Sequence, residues 1–185
     1  LLFHYFLAGL FMFRFLRSLG LLQFAALTGA FTFMFSGALV ARAQHHTIVL
    51  AMAWVPLLFM YVRLAIVNAS VPSAVKAGLI LGLQFLAGHP QTSVYTAVAI
   101  GFYCLWEGVV RSAERQQLSE LWRSSATLIL TGVVGAGVAA VQLLPTVELS
   151  RISIRAARPE IESDFIGPLN PIHLIKLVLP NFWGG

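Results

Sequence analysis

The chain has 185 residues, of which 58% are hydrophobic and 10% charged, with a mean hydropathy of +0.84. A soluble domain carries about 25% charged residues, so Lys+Arg 12 and Asp+Glu 7 are too few to clothe a water-facing surface. One cysteine, Cys104, excludes a disulfide scaffold, a Cys-based zinc finger and a CxxC redox centre. The net charge of +5 does not indicate nucleic acid, because the basic residues are scattered between apolar runs instead of forming a stripe. A positive excess is what membrane topology produces. The sequence reads as an all-α, polytopic membrane protein.

Gaps between charges locate the spans, since a helix crossing the hydrocarbon needs roughly 17–25 apolar residues. Residues 1–13 are uncharged and end at Arg14 and Arg17. Opening on Leu1, with no basic n-region and no cleavage site, they read as the remnant of a span (about 1–15) and not as a signal peptide. Spans of about 20–41, 47–66 and 124–147 follow from charge-free stretches of 24, 20 and 24 residues at 18–41, 43–62 and 124–147. Pro56 is expected to kink the third.

Residues 77–106 are free of charge for 30 positions, too long for one helix across a core of about 30 Å. Gly88-His89-Pro90-Gln91 divides them, because glycine ends helices and proline restricts the residue before it. The reading is a hairpin of spans at about 74–87 and 91–110, with one kinked helix as the rival. That gives about six spans over residues 1–147. The charged stretch 107–123 is expected as a solvated helical connection. Residues 148–185 are expected as the start of an extracytoplasmic loop, where Asn170-Pro171 would open a short interfacial helix over Ile172–Leu179.

Lys/Arg in the connections set orientation. Arg14, Arg17, Arg63, Lys76, Arg111, Arg115 and Arg123 fall on one side, 7 in all. Arg42, Arg151, Arg155 and Arg158 make 4 on the other. The first side is read as cytoplasmic.

The outer side then collects Arg42, Gln44, His45 and His46 at one junction and His89 and Gln91 at the next. Glu148, Ser150, Arg151 and Arg155 follow at the third. Guanidinium forks and imidazoles at one depth suit a phosphate. Against this stand plain alternatives: Arg42 and Arg151 as helix-end anchors, the His pair as interfacial, and Glu148–Arg151 as a helix-end ion pair. Gly78 and Gly82 form a GxxxG, and Gly132, Gly135, Ala136, Gly137, Ala139 and Ala140 form a small-residue face, both read as packing devices. Gln142 and Pro145 read as lining a cavity or bridging helices. No nucleotide-binding, zinc-protease or serine-hydrolase motif is present.

Several strings are familiar together. FMFRFLRSLG, FMFSGALVARAQHH, AMAWVPLLF, FLAGHPQTSVY, AVQLLPTVELSRISIR and LPNFWGG resemble, in that order, the bacterial YfhO-type membrane protein family. AGHPQT and QLLPTVELS are the specific pieces. That family is similar to GT-C glycosyltransferases, so the resemblance implies transfer of a sugar from a polyprenyl-phosphate donor to a cell-envelope glycan acceptor. The reaction would take place on the outer face of the bacterial cytoplasmic membrane. In such enzymes a carboxylate after the first span serves as base, which would place it before Leu1. Arg42, His45, His46 and Arg151 would serve the phosphate side. His89 and Gln91 would orient donor or acceptor, and Glu148 would bind sugar hydroxyls, a divalent metal or Arg151. No metal ligand set is assigned, and membrane lipids are the other expected partners. A transporter or flippase would also use broken helices, but no acid was placed inside a span for proton coupling. A non-catalytic scaffold subunit would need only the packing glycines.

Overall fold

A computed structural model describes residues 1–152 of the chain. It is 86% helix, and no strand occurs among the described residues. The helices are α1 (Leu2–Ser18), α2 (Gln23–Met34), α3 (Gly37–Val40), α4 (His46–Ala53), α5 (Val55–Val67), α6 (Val71–Leu86), α7 (Pro90–Arg115) and α8 (Ser119–Ile152). The chain divides into two compact units, Leu1–Gln142 and Leu143–Gly185. The expected interfacial helix over Ile172–Leu179, with Arg155 and Arg158 before it, lies outside the described residues.

Four helical stretches among the described residues are long and apolar enough to cross a membrane: Gln23–Val40, His46–Val67, Pro90–Arg115 and Ser119–Ile152. α6 is apolar but shorter, at 16 residues, and α1, at 17, carries Arg14 and Arg17.

Local chemistry explains the breaks. Pro56 has no N–H to continue a helix, and the segment divides at Trp54, whose N–H falls back to Ala51 O at 3.3 Å. The expected kink is thus a one-residue break at Trp54, which keeps right-handed helical angles, between α4 and α5. A second break, at Phe35–Ser36, was not foreseen; the Ser36 hydroxyl caps α3 by accepting from Leu39 N–H at 3.4 Å. Ser70 does the same for α6, accepting from Ser73 N–H at 3.3 Å.

At Ala87–His89 the helix ends, with Gly88 at φ 85, a left-handed conformation that glycine adopts without a Cβ penalty. The two-helix reading of residues 77–106 stands, and the single kinked helix is excluded. α6 and α7 run antiparallel: Gln84 is hydrogen-bonded to Thr96. Ala77, Ile80 and Leu81 share a core with Ile100 and Cys104. Phe11 of α1 and Leu57, Leu58, Met60, Val62 and Ile66 of α5 complete it.

The stretch 107–123 is less of a connection than expected. α7 runs on to Arg115 and α8 begins at Ser119, leaving Gln116–Leu118 as the turn, with Gln116 left-handed at φ 52. Charged helix formers carry the helices outward here, supported by Glu107–Arg111 at 2.8 Å, an i,i+4 pair. Glu107 thus lies within α7, and Glu120 is buried in the first turn of α8. Acids do occur inside these helices.

The small residues divide by face. A Cβ at Gly78 would lie 2.5 Å from Val134 Cβ and 2.9 Å from Thr131 O; one at Gly82 would lie 2.5 Å from Val138 Cβ. Here the α8 carbonyls and valine side chains pack directly on the α6 backbone, the close approach that GxxxG permits. Thr127, Thr131, Gly135 and Ala139 form the buried stripe of α8, whereas Gly132 and Gly137 meet nothing within 4 Å. The expected small-residue face therefore narrows to Gly135 and Ala139.

Replacing Gly78 by Ala should destabilise the bundle by about 1–3 kcal/mol through overpacking. Gly137→Ala should be neutral or stabilising by up to about 1 kcal/mol through helix propensity. Thermal unfolding of both variants in detergent checks this; equal effects would refute the close approach of α6 and α8.

Candidate functional site

In the first unit the helices alternate, so their ends gather at two poles. One pole holds the C-terminus of α3 and the N-terminus of α4, together with the α6–α7 turn. Tyr5 Oη donates to Leu39 O at 2.8 Å, pinning α3 to the start of α1. Below this turn Leu39 packs with Ala8, Val49 and Ala53, all fully buried. The backbone then winds through Arg42 and His45, where His45 N–H donates to Arg42 O at 2.7 Å. Arg42, His45 and His46 are all exposed.

The α6–α7 turn sits against the start of α4: a Cβ at Gly88 would be 3.4 Å from the Thr47 methyl. Gln84 fixes this arrangement. Its side chain is fully buried, and its Nε2 donates to Ala51 O at 3.0 Å and to Thr96 Oγ1 at 3.0 Å. One amide therefore ties α4, α6 and α7 together. The structure brings Arg42, His45, His46, His89 and Gln91 to one pole, as the sequence pattern implied.

His89 has a structural duty that the sequence reading did not give it. It is the N-cap of α7, accepting at Nδ1 from Thr92 N–H at 3.2 Å and lying 2.7 Å from Thr92 Oγ1. Nδ1 is then the acceptor, which places the neutral ring's proton on Nε2. The turn uses its histidine as a cap. Histidine is not among the favoured caps, and that hid the role. Gln91 is exposed, and its Nε2 donates to Tyr95 Oη at 2.8 Å.

Gln84 was missed altogether. The available signal was a lone amide inside an apolar run, four residues before Gly88; polar groups at such positions bridge helices or line cavities. Its Oε1 and the buried Nδ1 of His4, in the first turn of α1, have no hydrogen-bond partner.

Glu148 and Arg151 belong to the second unit and occupy the last turns of α8, both exposed. The expected ion pair between them is not among the salt bridges of the described residues. α8 continues through Pro145. No three His, Cys, Asp or Glu side chains come together among the described residues, so no set of metal ligands is assigned.

At the other pole lie Arg14, Arg17, Arg63, Lys76, Arg111, Arg115 and Arg123. Arg63 donates to Ser18 O at 3.1 Å, and Lys76 lies 5.6 Å from the centre of the Tyr61 ring. Arg17 donates to Leu21 O, and Arg111, Arg115 and Arg123 pair with Glu107 and Glu120.

Against family models, curated proteins and solved structures the chain has no significant match. The likeness to the YfhO-type family rests on the quoted strings alone.

If His89 is chiefly a cap, His89→Asn should unfold like the wild type, because Asn is a good cap. His89→Ala should lose about 1 kcal/mol. Equal loss in both variants, by thermal unfolding, would show that the imidazole does something a cap does not.

Proposed function

We propose that this chain is part of a membrane glycosyltransferase of the GT-C kind, acting on a polyprenyl-phosphate-linked sugar at the extracytoplasmic face of a bacterial cytoplasmic membrane. The observation that carries the reading is the exposed set of Arg42, His45 and His46, beside the His89 turn. It lies opposite the pole that holds seven Lys/Arg, which the positive-inside bias assigns to the cytoplasm. The family resemblance of the surrounding strings supports it. The six-span topology belongs to the same proposal.

Inverting sugar transfer forms a bond from the acceptor hydroxyl oxygen to the anomeric carbon and breaks the bond from that carbon to the lipid phosphate. The acceptor proton goes to a base, a role assigned to no residue here. Negative charge develops on the departing phosphate, and positioned donors lower its energy. Arg42 is the group for this, since its fork matches phosphate oxygens in pairs. His45 and His46 add imidazole N–H donors. Gln91 remains the candidate for orienting donor or acceptor.

In proteoliposomes of the full-length protein, with a radiolabelled polyprenyl-phosphate sugar, Arg42→Lys should insert normally. It should slow transfer about ten- to a hundredfold, the effect of losing a charged hydrogen bond worth about 1.5–3 kcal/mol. An unchanged rate would remove Arg42 from the phosphate, and absence of any transfer by the wild type would remove the reading itself.

Topology is checked separately. In a Cys104→Ser background, a cysteine at Gln44 should react with a membrane-impermeant thiol reagent in intact cells, while one at Gln117 should react only after lysis. The reverse pattern would invert the protein and take Arg42 to the wrong face.

A further inference from the structure

At the cationic pole, α6 and α8 separate just beyond their glycine contact. The gap is a cleft of about 140 Å³ between the α5–α6 junction and the second turn of α8. Ala65, Ala74, Ala126 and Leu130 give it apolar walls, and Ser70 and Arg123 stand at its polar side. Small side chains on both helices leave the volume open.

Arg123 carries charge that its protein partner does not exhaust. Its Nη1 lies 3.1 Å from Glu120 Oε1, and Arg115 Nη1 lies 3.1 Å from the same oxygen. Glu120 is 2% exposed, while the two arginines are 51% and 47% exposed. Two guanidiniums on one carboxylate leave a net charge of +1, and Arg123 has five N–H donors.

From Arg123 an apolar track runs along one face of α8: Ala126, Leu130, Val133 and Gly137 follow at steps of 3, 4, 3 and 4, the spacing of a single helical stripe. Ala126 is exposed, Val133 is 65% exposed and Gly137 has open space beside it. The track begins where the charged α7–α8 turn gives way to the apolar span. Trp122, 77% exposed, lies beside it, and tryptophan favours the headgroup level.

We infer that this cleft binds an anionic phospholipid of the adjoining leaflet, with its phosphate on Arg123 and one acyl chain along Ala126, Leu130, Val133 and Gly137. A free phosphate would use the guanidinium but not the track. A zwitterionic lipid would use the track but gain less from the net positive charge. The lipid site is independent of the glycosyltransferase reading.

The test is native mass spectrometry of the full chain, taken from phosphatidylcholine vesicles containing a minor fraction of phosphatidylglycerol. One phosphatidylglycerol should be retained per chain, enriched about fivefold over its share of the vesicle, the gain expected from one cation at the membrane surface. Arg123→Gln should abolish the enrichment. Arg115→Gln lowers the net charge but leaves Arg123 at the cleft, so it should weaken the enrichment less than Arg123→Gln does. Ala126→Trp fills the cleft at an exposed position, so it folds even if Arg123→Gln does not. It should abolish lipid retention with the charge intact. Absence of enrichment in the wild type overturns the inference, as does equal loss in Arg115→Gln. Retention by Ala126→Trp, or displacement of the lipid by millimolar inorganic phosphate, would show an anion site without a lipid track and overturn it too.

Discussion

A carbonyl freed inside an apolar bundle has no water to turn to and must find a donor within the protein. Helix α4 ends at Ala53, ahead of Pro56, and in its last turn Ala51 O accepts both from Trp54 N–H at 3.3 Å and from Gln84 Nε2, which reaches across from α6. The geometry of the exposed pole follows. Because the amide that serves α4 also binds Thr96 on α7, the start of α4 is held against the α6–α7 turn. Thr47 is thereby brought against Gly88, although they are far apart in the chain. Thr96 in turn donates to Thr92 O at 2.8 Å, and Thr92 is the residue that His89 caps. The proline break, the buried amide and the histidine cap form one connected hydrogen-bonded device.

At the opposite pole the constraint is one of distance. Gly78 and Gly82 let the Val134 and Val138 side chains and the Thr131 and Gly135 carbonyls of α8 lie directly against the α6 backbone, and Thr131 Oγ1 adds a long contact to Ala74 O at 3.4 Å. Once that approach is fixed, the alanines nearer the pole cannot fill the space between the helices. A cleft opens beside Arg123. The same small residues that make the contact tight in the middle of the helices make it incomplete at their ends.

Charge gaps and helix breakers carried much of the fold. Pro56 and Gly88-His89-Pro90 act through backbone chemistry that is local to the sequence, so their positions were legible. The interruption at Ser36 was not, because a serine within an apolar run signals a cap only once the chain has turned there. The extension of α7 and α8 through 107–123 was under-read for another reason. Charge marks where a helix leaves the hydrocarbon but does not end it, and no proline or glycine lies between Val109 and Thr131 to do so. Gathering of Arg42, His45, His46, His89 and Gln91 was legible from alternation of the spans alone. Their individual duties were not, since His89 as a cap depends on the rotamer that meets Thr92, and Gln84 depends on which carbonyl of α4 faces it across the helix contact.

Polar groups at the exposed pole therefore sort by whether the protein completes their bonding. Gln84 Nε2, His89 Nδ1 and Gln91 Nε2 all have internal partners, and their effect is to hold backbone and side chains in place. Arg42, His45 and His46 are exposed and make no side-chain hydrogen bond among the described residues. A guanidinium costs a great deal to leave unpaired away from water, so at a membrane boundary it stays where water, a headgroup or a ligand can complete it. A general anchor would need only the charge, which lysine supplies as well. What arginine adds is a planar fork that pairs with two phosphate oxygens at once. That fork is held here by a turn pinned through Tyr5 to Leu39, so its backbone position is set before any ligand arrives. Arg42 on that turn is thus an exposed fork on a fixed backbone, whereas His89 Nδ1 is committed to its cap.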